Sequence, residues 1–248
     1  MRILSAGATD VGQKRKVNQD SFRVDNDLLL YVVADGMGGH AGGEFASRVC
    51  VEMIQKSVRE DRELAKGAKV NPADLVMGAI HRANTAVFSK GREEEKLRGM
   101  GTTVDLMLFD QDQLFIGHVG DSRVYLARHG MLWQLTRDHS LVNEKLKAGL
   151  ITRDQLKTDQ NKNVITRSVG FESSVLVDIY RREVAPGDLY LACSDGLSGL
   201  IDDEEMLAVL TKIAIEGDDL EKAIHQLIHM ANKNGGDDNI SVVLAKAL

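Results

Sequence analysis

Cysteine is scarce in this chain, with only Cys50 and Cys193 among 248 residues. Each sits in its own apolar run and neither belongs to a Cys-x-x-Cys pair, which removes a disulfide framework and a thiolate metal site. The expectation is two buried free thiols, the usage of a reducing cytoplasm. Proline is equally rare, at Pro72 and Pro186, and no Pro/Ser-rich stretch offers a linker. Basic excess is missing too: 31 Lys and Arg face 37 Asp and Glu, a net charge of −6. Such a chain is a poor general binder of nucleic acid or of an anionic membrane. The longest strongly apolar run, Leu28 to Ala34, falls far short of the ~18 residues a membrane span needs. The opening "MRILSAGATDVG" has no apolar signal region, so an unexported, cytoplasmic protein is expected. There is no Gly-x-Ser-x-Gly elbow, no Walker A sequence and no dinucleotide fingerprint.

What is present is ordinary globular composition, 43% hydrophobic and 27% charged, expected as one domain over residues 1–248. Short β-like runs cluster early ("RILSAGAT", "SFRVD", "LLLYVVAD") and again from residue 102 ("TTVDLMLFD", "QLFIGHVGD", "RVYLARHG", "LWQLT"). "VLVDIYRREV", "DLYLACSD" and "NISVVLAKA" complete the set, with turns that read as antiparallel hairpins. Helical stripes run from Gly43 to about Arg59 and onward from Asn71-Pro72, a cap followed by a first-turn proline. Two more open after Asp202 and Asp218, each with a glutamate three residues on. Helices in pairs and strands in hairpin runs indicate an α+β fold, a two-sheet sandwich with a helix pair on each outer face. Residues 141–170, with two short capped helices and the polar "TDQNKN", read as an excursion from it.

The acids form a pattern. Asp35, Asp121 and Asp195 close apolar strands, Asp238 precedes the last strand, and Asp20 sits beside the second. Four of these five have a glycine within two residues. Strands stacked in a sandwich bring their ends to shared edges, and carboxylates gathered there repel unless cations intervene. All the candidate ligands are oxygens, with no His-x-x-x-His pair and no cysteine cluster. That donor set selects a hard ion, Mg²⁺ or Mn²⁺, over Zn²⁺; Ca²⁺ stays open, without an EF-hand loop. Just ahead of Asp20 stand Lys14, Arg15 and Lys16. A guanidinium there is a candidate phosphate clamp.

Five stretches together resemble the metal-dependent protein phosphatases of the type 2C class, the PPM family, in bacterial form. They are "TDVGQKRKVNQDSF", "VVADGMGGHAGGEFAS", "GHVGDSRVYL", "LACSDGLSG" and "GGDDNISVVL", in order along essentially the whole chain. "LTRDHSLVNEKLKAGLIT" and "NVITRSVG" are similar to the segments around that family's flap, which makes residues 141–170 a flap subdomain. The resemblance implies an αββα sandwich holding two Mn²⁺ or Mg²⁺ ions, with a third in bacterial members. It implies that Asp35 bridges two metals with the Gly36 carbonyl beside it, and that Asp195 and Asp238 hold one. It implies that Asp20 reaches the site through water, that Asp121 with Asp195 holds the third ion, and that Arg15 binds phosphate. The implied reaction is hydrolysis of phosphoserine and phosphothreonine in proteins by a metal-activated water, reversing a partner serine/threonine kinase. His40 or a metal-bound water is the candidate proton donor. Two departures stand out: Gln19 occupies a position usually held by Glu, and Met37 follows Asp35-Gly36 where animal members have His. Two rival readings are a weak or inactive phosphoprotein-binding regulator and a phosphatase of small phosphoesters.

Overall fold

The computed structural model describes residues 1–67, 70–156, 158–216 and 219–248, with positions 40 and 41 described as backbone only. Its strands are β1 (Ile3–Asp10), β2 (Asp20–Asp25), β3 (Leu30–Met37), β4 (Gly101–Thr102), β5 (Val104–Asp110) and β6 (Gln113–Val119). β7 (Arg123–Arg128), β8 (Met131–Gln134), β9 (Asp178–Glu183), β10 (Leu189–Cys193) and β11 (Ile240–Ala247) follow. The helices are α1 (Gly39–Leu64), α2 (Pro72–Glu93), α3 (Leu141–Lys147), α4 (Asp195–Ser198), α5 (Asp203–Val209) and α6 (Leu220–Lys233). One sheet runs β1-β11-β10-β7-β8 and the other β2-β3-β5-β6-β9, with β4 also on β3. Every strand pair is antiparallel.

Strand periodicity explains the layering. Along β3, Leu30, Val32 and Ala34 join the layer beneath α1 and α2, while Tyr31 and Val33 point the other way. Successive side chains alternate between faces, so a strand buried on both sides reads as a continuous apolar run. The layer between the sheets takes Tyr31, Val33, Met107, Phe109 and Ile116 from one and Val124, Tyr190, Val243 and Ala245 from the other. At its centre Phe109 meets Tyr31 and Tyr190 edge-on, at centroid distances of 5.7 and 5.4 Å. That geometry suits the ring quadrupoles. Both tyrosine hydroxyls donate, to Asn26 and Asp188. On the outer face of the first sheet α4, α5 and α6 bury Leu197, Met206, Ile224 and Leu227. The order is therefore helices, sheet, sheet, helices, as the hairpin and helix-pair pattern implied.

Helix ends follow the expected chemistry with two changes. Asn71 caps α2 through Ala73 N–H, and Asp202 caps α5 through Glu205 N–H. The last helix is capped instead by Asp219, which accepts from Lys222 N–H; Asp218 lies outside the described residues. The first helix begins at Gly39, four residues before the apolar stripe, and extends past Arg59 to Leu64. The stripe marks only where apolar side chains of α1 are buried, so it missed the glycine-rich first turn and the turn after Arg59. A helical turn with six residues of π geometry, Leu210–Ile215, continues α5, and the buried Lys246 ammonium donates to the carbonyls of Ala214 and Ile215. Cys50 and Cys193 are both free and buried, and burial pushes the Cys50 thiol up to about 12. No described helix is long and apolar enough to cross a membrane.

Among the described residues, 141–170 add no strand to either sheet. Within them α3 is capped by Ser140, and Arg153–Gln155 form a single 3₁₀ turn with a Thr152/Gln155 capping box. The two ends of the excursion meet: Leu141 N–H donates to Val164 O, and Thr166 N–H to His139 O.

The packing of α2 on β6 depends on Gly117. A Cβ there would stand 2.5 Å from Val76 Cγ1 and 2.6 Å from Ile80 Cδ1. Gly117→Ala should therefore destabilise the fold by about 1–3 kcal/mol through overpacking. Urea unfolding measures this directly, and an unchanged midpoint would contradict the packing described.

Candidate active site

The strand ends that carry the acids share one edge of the sandwich. Asp20 opens β2 and is the register partner of Asp35 in β3. Asp121 follows Gly120 at the turn from β6 to β7, Asp195 opens α4 just after β10, and Asp238 lies just before β11. In the first sheet Cys193 pairs with Val242 on one side and Arg123 on the other, which sets these last three ends beside one another. Asp20 is buried and the other four are half-buried.

Asp35 is fixed through its backbone. Its N–H donates to Thr103 Oγ1 at 2.9 Å, and its carbonyl accepts from Thr103 N–H at 2.8 Å and from Thr102 Oγ1 at 2.9 Å. Thr103 Oγ1 also lies 2.7 Å from Ser122 Oγ, next to Asp121. The next residue, Gly36, donates its N–H to the Gln19 carbonyl at 3.1 Å. A Cβ on Gly36 would run into the carbonyls of Gly43 and Gln19, and one on Gly43 would meet Gln19 Nε2 at 2.6 Å and Gly36 O at 2.7 Å. Two glycines thus cross at contact distance, and any side chain would separate the strand from the helix. Gly38 turns the chain between them with φ of 113°.

The electrostatics are those of anions with too few counterions. Burial drives the Asp35 carboxyl well above its usual range, and the charges of Asp20, Asp195, Asp121 and Asp238 push it further. Asp20 is raised to about 7 by burial, with Asp195 and Asp238 adding to it against a hydrogen bond from Ser194. Asp121 also reaches about 7, through burial and the neighbouring Asp195. Asp195 rises for the same first reason, with Asp238 second. One buried oxygen on each of Asp20, Asp121 and Asp195 has no hydrogen-bond partner. Buried, unpartnered carboxylate oxygens are costly, and a hard cation is the species that satisfies them. Among the described residues no three acidic, histidine or cysteine side chains make a finished ion cage. The carboxylates are near enough to repel one another. The all-oxygen donor set and its unpartnered atoms fit Mg²⁺ or Mn²⁺.

Arg15 pairs directly with one of the acids, its Nη2 lying 2.7 Å from Asp238 Oδ2, and the Arg123 charge also acts on Asp121 and Asp195. The Arg15 guanidinium is half exposed, so it can leave the carboxylate for another anion. Gln19 does not face the acids. Its Nε2 donates to Gly39 O at 2.9 Å, a bond that a carboxylate could not make. His40 lies in the first turn of α1, and its side chain is outside the described atoms.

Several supporting residues were not anticipated from the sequence. Ser194 Oγ donates to Asp20 Oδ2 at 2.7 Å and accepts Ser241 N–H. Asn239 accepts Gln19 N–H and donates to the carbonyls of Val11 and Val17, tying the Arg15 loop to β11. Of these, only Ser194 and Asn239 had a sequence signal, since each adjoins one of the strand-end aspartates. Thr102 and Thr103 look like ordinary strand residues.

A family profile described as Protein phosphatase 2C matches residues 10–245. The chain is 37% identical over 242 residues to a putative protein phosphatase 2C-type of Streptococcus pyogenes, covering 95% of this chain and 94% of that one. It is 34% identical to the serine/threonine phosphatase stp of Listeria monocytogenes, covering 96% and 93%. The crystal structure of the Mycobacterium tuberculosis serine/threonine phosphatase PstP/Ppp superposes with a TM-score of 0.89 at 33% identity, covering 100% of this chain and 99% of that one. The PstP catalytic domain has also been solved in complex with two manganese ions, with a TM-score of 0.86 at 33% identity and coverage of 98% and 97%.

The repulsion among the acids predicts an inverted pH dependence for the metal-free protein. The folded state holds protons on Asp20 and Asp121 up to about pH 7, whereas the unfolded chain releases them near 3.8. Folding therefore takes up protons in that window, and stability falls as pH rises through it. These groups contribute most below 3.8, and their contribution is gone above about 7. In chelator, Asp35→Asn should raise the melting temperature at pH 8, by about 2–4 °C per kcal/mol of repulsion relieved. Thermal unfolding with EDTA across pH 4–8 measures both effects, and a variant that melts lower than the parent would refute the repulsion.

Proposed function

The chain belongs to the protein phosphatase 2C family, and on that premise we propose that it is a metal-dependent serine/threonine protein phosphatase with its reaction centre at Asp35. The observation that carries this reading is the set of five strand-end aspartates that repel one another around unpartnered carboxylate oxygens. In this reading residues 1–248 are one phosphatase domain with residues 141–170 as its flap. Asp35, Asp195 and Asp238 hold two Mn²⁺ or Mg²⁺ ions with the Gly36 carbonyl, Asp20 supports them through water, and Asp121 serves a third ion. Bound ions supply an activated water and neutralise phosphoryl charge.

The remaining chemistry belongs to the chain. Thr102, Thr103 and Gln19 keep the Asp35–Gly36 backbone from shifting, so the carboxylate needs no reorganisation during the reaction. Arg15 takes two phosphoryl oxygens with its planar fork, exchanging Asp238 for the substrate. The serine or threonine alkoxide needs a proton to leave, and His40 is the nearest candidate in sequence. The substrates are phosphorylated proteins, delivered by a serine/threonine kinase of the same cytoplasm. No observation favours the regulator reading, because Asp35, Asp195 and Asp238 are all present.

A phosphothreonine peptide should be hydrolysed with Mn²⁺ and not with EDTA, and more readily than a phosphotyrosine peptide. Asp35→Asn and Asp238→Asn should each lower the rate by about 100-fold or more. If the parent with Mn²⁺ is no faster than these variants, the chain is not a phosphatase of this kind.

Arg15 supplies a second test. A lost hydrogen bond to a charged group is worth about 1.5–3 kcal/mol. Arg15→Ala should then lower kcat/KM by about 10–100-fold, with Arg15→Lys recovering part of it. An Arg15→Ala enzyme with parental kcat/KM would remove the clamp from the mechanism.

A further inference from the structure

Beneath the Asp121 turn lies a buried polar cluster that the reaction itself does not use. His118, on β6, is fully buried. Its Nδ1 is 2.7 Å from Asp105 Oδ1 and its Nε2 is 2.9 Å from the Arg137 carbonyl. Both ring nitrogens face acceptors, an arrangement that a doubly protonated ring satisfies, and burial raises the pKa of the Asp105 partner as well. Burial opposes that charge, but Asp105 and the Arg137 carbonyl outweigh it and the pKa is raised.

The ring of His139 lies against His118, with centroids 4.6 Å apart. His139 has the opposite state. Its Nδ1 accepts the Gly120 N–H at 3.1 Å, so its proton sits on Nε2 and faces Asp178 Oδ2 at 3.2 Å. Burial and the neighbouring His118 charge lower its pKa to about 4, which keeps it neutral. Its backbone is engaged as well: His139 N–H donates to Gly120 O at 2.7 Å, and its carbonyl accepts Thr166 N–H at 2.8 Å.

These bonds join three parts of the molecule. Gly120 belongs to the turn that presents Asp121. Thr166 and Arg167 belong to the segment by which the flap returns. Asp178 opens β9, and Arg167 Nη1 donates to its Oδ1 at 2.8 Å while lying 3.1 Å from His139 Nε2. The flap's outgoing and returning segments also meet at an isolated bridge, Ser140 to Ile165, and Val169 bridges to Thr102 beside Asp35. One buried ring thus touches the Asp121 turn at one nitrogen and the base of the flap at the other.

The geometry points to His139 as a positioning residue that locks the flap stem to the Asp121 turn, acting through Gly120 on one side and through the Asp178–Arg167 pair on the other. The flap then stands at a fixed orientation over the acids, and protein substrates are read by a surface held in register with the reaction centre. This use of the lock rests on the phosphatase reading; the lock itself does not.

The test is limited trypsin digestion, with cleavage after the exposed Lys147 and Arg153 of the flap quantified by mass spectrometry. His139→Ala should speed flap cleavage by about fivefold or more, while cleavage elsewhere stays at the parental rate. Asp178→Asn should do the same from the flap side. The double variant should exceed either single one by less than about twofold, because residues sharing one network are non-additive. His139→Asn, which keeps an acceptor near the Nδ1 position, should restore part of the protection. If His139→Ala does not fold, Asp178→Asn carries the test alone, since Asp178 is 39% exposed.

In the active enzyme the same variants should raise KM for a phosphothreonine peptide by about fivefold and change kcat by less than about threefold. Unchanged flap cleavage, additive effects, or a rise spread evenly over the sandwich would overturn the proposal. A protein without activity toward the peptide would sink the phosphatase reading, and the digestion would still decide the lock.

Discussion

Carboxylate repulsion is the constraint on which the rest of this structure depends. Five aspartates arrive at one edge because five strands or their flanking turns end there, and burial multiplies the cost of each charge. Nothing in the apolar layers relieves it. The tolerance comes from the surrounding fold: three packed apolar layers hold the strand ends in register whether or not the acids repel. A site of this kind stores unfavourable energy that a cation releases, so affinity for the ion and instability without it have one physical origin.

Pinning matters as much as charge. Asp35 could escape its neighbours by a small shift of the β3 end, and two sets of contacts prevent it. Thr103 grips its N–H and its carbonyl together, and the crossing of Gly36 with Gly43 locks the strand to the first turn of α1. Gln19 closes the same junction from the other side, through its own carbonyl and through the bond to Gly39. The Glu-to-Gln departure therefore does more than remove a charge, because the amide donor braces the glycine turn. Replacing an acid with a donor also takes one anion away from a region that already has too many.

Much of this was legible in the sequence, and what was legible follows a rule. Alternating and continuous apolar runs report burial, so the strands and helix stripes appeared in nearly the right places. Acids ending such runs report a shared edge, so Asp20, Asp35, Asp121, Asp195 and Asp238 could be named together. What escaped notice depends on pairs distant in sequence. Nothing about Gly43 reveals that Gly36 will cross it, and nothing about Thr103 reveals that it will hold Asp35 across the sheet. The start of α1 was missed because a glycine-rich turn has no apolar stripe. His118 and His139 were passed over because no metal-ligand spacing links them; their relation is a stack between β6 and the segment after β8.

That stack also bears on how the two functional parts divide their work. The acids stand at fixed strand ends, whereas residues 141–170 lie, among the described residues, outside both sheets. The adjacent rings of His118 and His139 link these two parts. Burial first and the neighbouring His118 second lower the His139 pKa to about 4, which leaves Nδ1 able to accept the Gly120 N–H. Burying these polar groups costs stability that an apolar pair would not cost, and the contacts they make to Gly120 and Asp178 join the turn before Asp121 to the start of β9.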